Sequence, residues 1–170
     1  VGQNGQPPFV RAVTVGTVAD MGITDINNMG AAMAPAAAQT LCQYFADTGH
    51  KPEDFDLILT GDLGLVVSRL LERLMQAEGY PMAKGHNDCG LMIYDRLTQD
   101  VHAGGSGCGC AASVLCSFIL PQIACHRLKN VLFLATGALM SPTSVQQGES
   151  IPGIAHLLHL SDQPNSPEQL

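Results

Sequence analysis

Residues 101–129 read VHAGGSGCGCAASVLCSFILPQIACHRLK, and the rest of the chain is organised around them. The front half is a glycine-rich loop with Gly104, Gly105, Gly107 and Gly109. Glycine permits a positive φ and a close backbone approach to a ligand. The back half is apolar at helical spacing, with Ala111, Leu115, Phe118 and Ile119 expected on the inward face. A helix that starts after such a loop directs its unpaired N–H groups, and a partial positive charge, at one spot. Two readings stay open for the loop. It packs a helix start against a strand, or it walls a small-anion or acyl site. Pro121 should kink the helix. Residues 130–136 (NVLFLAT) form a buried core strand that ends in a glycine turn at Gly137.

Working outward, residues 55–60 (FDLILT) read as a short buried strand and residues 61–64 as a sharp turn. Residues 65–78 read as an amphipathic helix with Val66, Leu70, Leu71 and Leu74 inward. Strand, turn and helix in that order indicate an α/β fold, whose ligands sit at the C-terminal ends of strands. Asp62 lies at such an end, and either caps the following helix or faces a pocket. Upstream, residues 9–18 (FVRAVTVGTV) alternate as a strand, residues 19–30 are loop, and residues 31–47 are an alanine-rich helix stopped at Gly49. Because Pro35 is tolerated only in a first turn, that helix should begin near Met33 or Ala34. Residues 84–90 are polar and tightly turned, residues 91–94 a possible strand, residues 137–151 a loop and residues 154–160 a last strand.

Composition narrows the function classes. A chain of 170 residues suits one domain with a real core. Only 14% of residues are charged and 46% are apolar, so much of each element is expected to be buried or to face a partner. The net charge is −7 and the eight Lys and Arg do not cluster, which argues against nucleic acid as a partner. No apolar run reaches the ~20 residues of a membrane span. The six cysteines do not follow the spacing of a small stapled domain, so all are expected as free thiols in a reducing compartment. Cys42, Cys116 and Cys125 are expected on buried helix faces. Residues 1–8 read as a linker continuing from a longer polypeptide.

Several side chains are chemically suggestive. Cys108 and Cys110 flank a helix start, which lowers a thiol pKa, but no base is fixed beside them. His86, Asp88, Cys89 and the Cys108/Cys110 pair are too irregular for a zinc site. His86, Asn87 and Asp88 form either a turn held by its own hydrogen bonds or the polar lining of a pocket. His156 and His159 are expected as satisfied strand histidines.

The runs ADMGITDINNMGAAMAPAAAQTL (residues 19–41), DLILTGDLG (56–64), HNDCGLMIYD (86–95), HAGGSGCGCAA (102–112) and ATGALMSPTSVQQGESIPGIAH (135–156) resemble the stage V sporulation protein AD family. That family is thiolase-like, with two αβαβα halves, and this chain resembles the C-terminal half. The resemblance implies an α/β domain over residues 9–160, with a mixed five-stranded sheet flanked by helices; residues 161–170, polar and with two prolines, read as a flexible tail. The resemblance implies binding of dipicolinic acid or its calcium chelate, for uptake into the developing spore, with other proteins of the same sporulation operon at the spore inner membrane. Its own N-terminal half, and a second copy in a homodimer, are further implied partners. The ligand-binding set expected from this half is Asp62, His86, Asn87, Asp88, Cys89, Ser106, Gly107 and Cys108. No cofactor is expected, except calcium accompanying dipicolinate.

Catalysis is not expected. The thiolase loop His-Pro-x-Gly-x-Ser-Gly is answered here by His102-Ala103-Gly104-Gly105-Ser106-Gly107, one residue shorter and without the proline. The second thiolase cysteine has no counterpart in Leu134-Ala135-Thr136-Gly137. The rival readings are an acyl-transferring enzyme of the thiolase or ketosynthase type, and a structural docking subunit of a membrane transport complex.

Overall fold

A computed structural model describes residues 5–107 and 109–165. Five strands form one mixed sheet: β1 (Phe9–Thr14), β2 (Leu57–Thr60), β3 (His86–Asp88), β4 (Asn130–Ala138) and β5 (Gly153–Ser161), in the order β1-β5-β4-β2-β3. β2 runs parallel to β3 and β4, whereas β5 is antiparallel to both β4 and β1. Near-continuous apolar runs in β2 and β4 follow from this position, because both faces of a parallel strand are buried. Ile58, Leu132 and Leu134 face one way, and Leu59, Val131 and Phe133 the other.

On the first face lie α1 (Met29–Thr48) and α2 (Gly64–Ala77). α1 seats Ala34, Ala37, Leu41, Tyr44 and Phe45 on Ile58, Leu132, Leu134, Ala155 and Leu157. Small residues allow a backbone-to-backbone approach: a Cβ on Gly153 would meet the Ala32 carbonyl oxygen at 2.1 Å. Gly49, at φ 71°, ends α1 and donates its N–H to Phe45 O. The second face is covered by α3 (Cys89–Met92), then by α4 (Cys110–Val114), a π-helical turn (Leu115–Ile119) and α5 (Leu120–Ala124), which follow without a break. Cys110, Val114, Ile119 and Ile123 bury against Leu59, Val131, Phe133 and Leu160. The α/β class was legible in the pattern, and the mixed five-stranded sheet agrees with what the resemblance implies, but several details differ.

β1 stops at Thr14, short of residue 18. Gly16 then lies so close to Ala155 O that a Cβ would meet it at 1.7 Å, and its N–H goes to His156 Nδ1 instead of a ladder. α1 begins at Met29, so Pro35 sits in its second turn. The earlier start is set by tertiary contact: Gly30 presses on Val67 of α2, and Asp25 caps the 3-10 turn Ile26–Asn28 just upstream. The buried face of α2 is Gly64, Ser68, Leu71 and Met75, with Leu74 half-buried; Val66 and Leu70 are exposed. The helix rests on Leu71 and Met75, with the small Gly64 and Ser68 completing the buried face.

Residues 91–94 are not a strand. Asp88 accepts the Gly90 N–H and starts α3 there, overriding the β-propensity of Ile93 and Tyr94. At the π turn, Leu120 N–H reaches back to Leu115 O. The extra residue rotates the following side chains, which leaves Phe118 51% exposed instead of inward. It also relieves Pro121, which lacks an N–H and crowds the preceding turn. Cys116 and Cys125 are exposed and Cys42 is half-buried, not fully buried as expected. Gly137 makes no turn; β4 continues to Ala138, opposite Gly153. Residues 137–151 contain α6 (Pro142–Gln146), capped by Ser141. The start of the expected tail is ordered: Ser161 closes β5, and buried Asp162 pairs with His126 Nδ1 at 2.9 Å.

Candidate functional site

The C-terminal ends of β2 and β4 lie side by side, and Asp62, two residues past β2, joins three segments there. Its Oδ2 accepts from Ser106 Oγ at 3.1 Å and from Gly107 N at 3.0 Å; its Oδ1 accepts from Thr136 Oγ1 at 3.4 Å. Gly107 meets Asp62 at φ 105°, a conformation that L side chains rarely adopt. A Cβ on Gly61 would lie 3.0 Å from Thr136 Oγ1 and 3.6 Å from Ala111 Cβ. The start of α4 therefore belongs to the same cluster. Asp62 does not cap α2 and stays half-exposed at the mouth of the cluster.

The capping is done by Asp88, which is fully buried and comes from a different strand. Its Oδ2 accepts from Leu63 N at 2.9 Å and Thr60 Oγ1 at 2.6 Å. Its Oδ1 accepts from Gly64 N at 2.9 Å and Gly90 N at 3.0 Å. One carboxylate thus holds the starts of both α2 and α3, satisfying N–H groups that a helix start leaves unpaired. Four accepted bonds leave it little capacity for a ligand.

The rest of the 86–89 segment is likewise engaged internally. The His86 side chain is 1% exposed, its Nδ1 3.0 Å from Glu72 Oε1 and its Nε2 3.2 Å from Thr60 Oγ1. Asn87 Oδ1 accepts the Asp88 N–H at 2.8 Å. Cys89 is fully buried, and burial, reinforced by the negative charge of Asp88, pushes its thiol up to about 12. Burial, with Asp62 and Asp88 nearby, also raises the Cys110 thiol. Both remain protonated and un-nucleophilic at neutral pH. Cys108 lies outside the described residues. His102 is exposed, 3.6 Å from Asp100.

Of the expected set, Asp62, Ser106 and Gly107 converge on one open cluster. Asp88 lies directly behind it, bonded to the two residues that follow Asp62, and His86, Asn87 and Cys89 adjoin Asp88. Thr136, Thr60 and Glu72 escaped the sequence reading. Thr136 is 74 positions from Asp62, and only the adjacency of β2 and β4 brings them together. Among the described residues, no group of three or more His, Cys, Asp and Glu is arranged to hold a metal. No helix there is long and apolar enough to cross a membrane.

A mixed α/β sheet with loops gathered at its strand ends defines an α/β domain whose ligand site is expected at those ends. The sequence profile of the family Stage V sporulation protein AD (SpoVAD) matches residues 1–161, and the chain belongs to that family. It is 51% identical over 147 residues to Stage V sporulation protein AD of Bacillus subtilis (strain 168), a match covering 86% of this chain and 43% of that protein. The chain thus spans less than half the length of this relative.

Proposed function

We propose that this chain supplies one half of a non-catalytic, thiolase-like sporulation protein that binds dipicolinic acid as its calcium chelate, for uptake into the developing spore. Family membership sets the biological context. The single observation that carries the site reading is the Asp62 carboxylate, half-exposed where Ser106, Gly107, Thr136 and the start of α4 meet.

A free pyridine dicarboxylate would be repelled by Asp62. Calcium cancels that charge and takes carboxylate and hydroxyl oxygens as ligands. Asp62, with the hydroxyls of Ser106 and Thr136, offers such oxygens, while the N–H groups at the start of α4 suit a carboxylate of the ligand. Asp88 has no part in binding; it holds the loop that presents Asp62. The raised thiols of Cys89 and Cys110 support the non-catalytic reading over acyl transfer. The missing half of the ligand cleft would come from the remainder of the longer polypeptide, with the protein working at the spore inner membrane beside other products of its operon.

Titration calorimetry on the full-length protein tests this reading. Dipicolinate with calcium should release heat, and Asp62→Ala should weaken binding by about tenfold or more, in keeping with ~1.5–3 kcal/mol for a bond to a charged group. Absence of heat with or without calcium would defeat it. So would thioester turnover by the same preparation.

A further inference from the structure

The outward face of α2 carries a second organised surface, unrelated to the Asp62 cluster. Val66, Arg69, Leu70 and Arg73 recur at helical spacing and so share one stripe. Val66 is 70% and Leu70 39% exposed, and both arginines are exposed. Ile26 and Met29, also exposed, precede Gly30, which packs against Val67 of α2. Further along, Arg69, Glu72, Arg73 and Gln76 line a cleft of about 390 Å³ whose other wall includes Pro81, Met82 and Ala83.

Among the described residues, neither arginine forms an ion pair with a carboxylate. All four ion pairs among the described residues involve histidine. Glu72, the acid between the arginines, turns inward to His86 at 3.0 Å. Two guanidinium groups one turn apart therefore stand outside any ion pair among the described residues, with the nearby Glu72 engaged by His86, in a chain with fifteen acidic and eight basic residues. Like charges at that spacing repel, and apolar side chains beside them are exposed. A partner that supplied both carboxylates and apolar contacts would relieve both costs at once.

We propose that this face of α2 docks an acidic, amphipathic segment of another protein. Its carboxylates, about one helical turn apart, pair with Arg69 and Arg73, and its apolar side chains seat on Val66 and Leu70. Guanidinium forks match carboxylates bidentately, and such charge pairing sets partner choice and register. An anionic lipid surface fits less well, because a net charge of −7 repels it and two arginines fall short of a polybasic cluster. The proposal is independent of the dipicolinate reading, since α2 and the helical run from Cys110 lie on opposite faces of the sheet.

The test is a photo-cross-linking residue at Val66 of the full-length protein, in sporulating cells, with the same residue at exposed Glu53 as control. The expected adduct maps to an acidic segment of a different polypeptide. Its yield should fall about tenfold in R69E/R73E and return when the mapped acidic residues are changed to lysine. Circular dichroism checks that R69E/R73E is folded, with R69A/R73A as the milder variant. Adducts with lipid, with a second copy, or within the same polypeptide would overturn the proposal. So would a yield at Val66 no higher than at Glu53, or one indifferent to both arginine variants.

Discussion

Asp88 shows how one side chain can decide local structure at a distance. The sequence places it in a polar turn; the fold makes it the shared cap of α2 and α3, with Thr60 as a fourth donor. Each buried N–H that loses its acceptor costs about 1–3 kcal/mol. Asp88→Ala should therefore destabilise the protein by ~3–5 kcal/mol in urea unfolding, and a loss under 1 kcal/mol would show that water replaces the carboxylate. His159 gives the clearest pH dependence. It is buried between Tyr44 O–H, 3.0 Å from Nδ1, and Asn130 Oδ1, 3.2 Å from Nε2. Burial, then the charges of Arg11 and His50, lowers its pKa from 6.5 to about 4. Between those values the unfolded chain takes up a proton that the folded chain refuses. Stability contributed by His159 is thus intact above pH 6.5, falls as pH drops toward 4, and is then exhausted, by roughly 3 kcal/mol in all. His159→Gln should flatten that part of the stability–pH curve; an unchanged slope would assign it to other groups.

At the scale of elements, glycine positions separate necessity from permission. Gly90 and Gly105 meet backbone to backbone, with Gly105 N–H bonded to Gly90 O at 2.6 Å. A Cβ on Gly90 would lie 2.3 Å from Gly105 O. This contact fixes α3 under the loop that carries Ser106 and Gly107, so Gly90→Ala should lower stability by about 2 kcal/mol or more and loosen the Asp62 cluster. Gly109 has ordinary φ and nothing within 4 Å of its would-be Cβ. Gly109→Ala should accordingly change the melting temperature little. Equal destabilisation by both substitutions would contradict this division. The π turn Leu115–Ile119 belongs to the same scale: it admits Pro121 and turns Phe118 outward, a rotation that 3.6-residue periodicity does not anticipate.

The whole molecule has an unequal pair of sheet faces. Residues 110–125 contain no charged side chain, yet Cys116, Phe118 and Cys125 are exposed along them. Val10 and Val13 are exposed on β1, opposite Leu160 and Leu158. A helix without charge on any side ordinarily lies inside a structure. These 170 residues expressed alone should associate with rising concentration, measured by light scattering, whereas Val13→Ser with Phe118→Ser should shift them toward monomer. A monodisperse wild-type monomer at high concentration would count against this face as an interaction surface.

By itself the amino-acid order determined the class of fold, the strands of the core, the stop at Gly49 and the importance of the glycine loop, because period, β-branching and glycine act over a few neighbouring residues. It also brought forward Asp62, Ser106 and Gly107. Only the tertiary structure decided that Asp88 caps two helices while Asp62 is left at the opening, that Glu72 answers His86 and not Arg69 or Arg73, and that Gly64 and Ser68 join the buried face of α2 in place of Val66 and Leu70. Each of these outcomes depends on groups 14 to 45 positions apart. Sheet pairing sets those distances, and no local pattern encodes them.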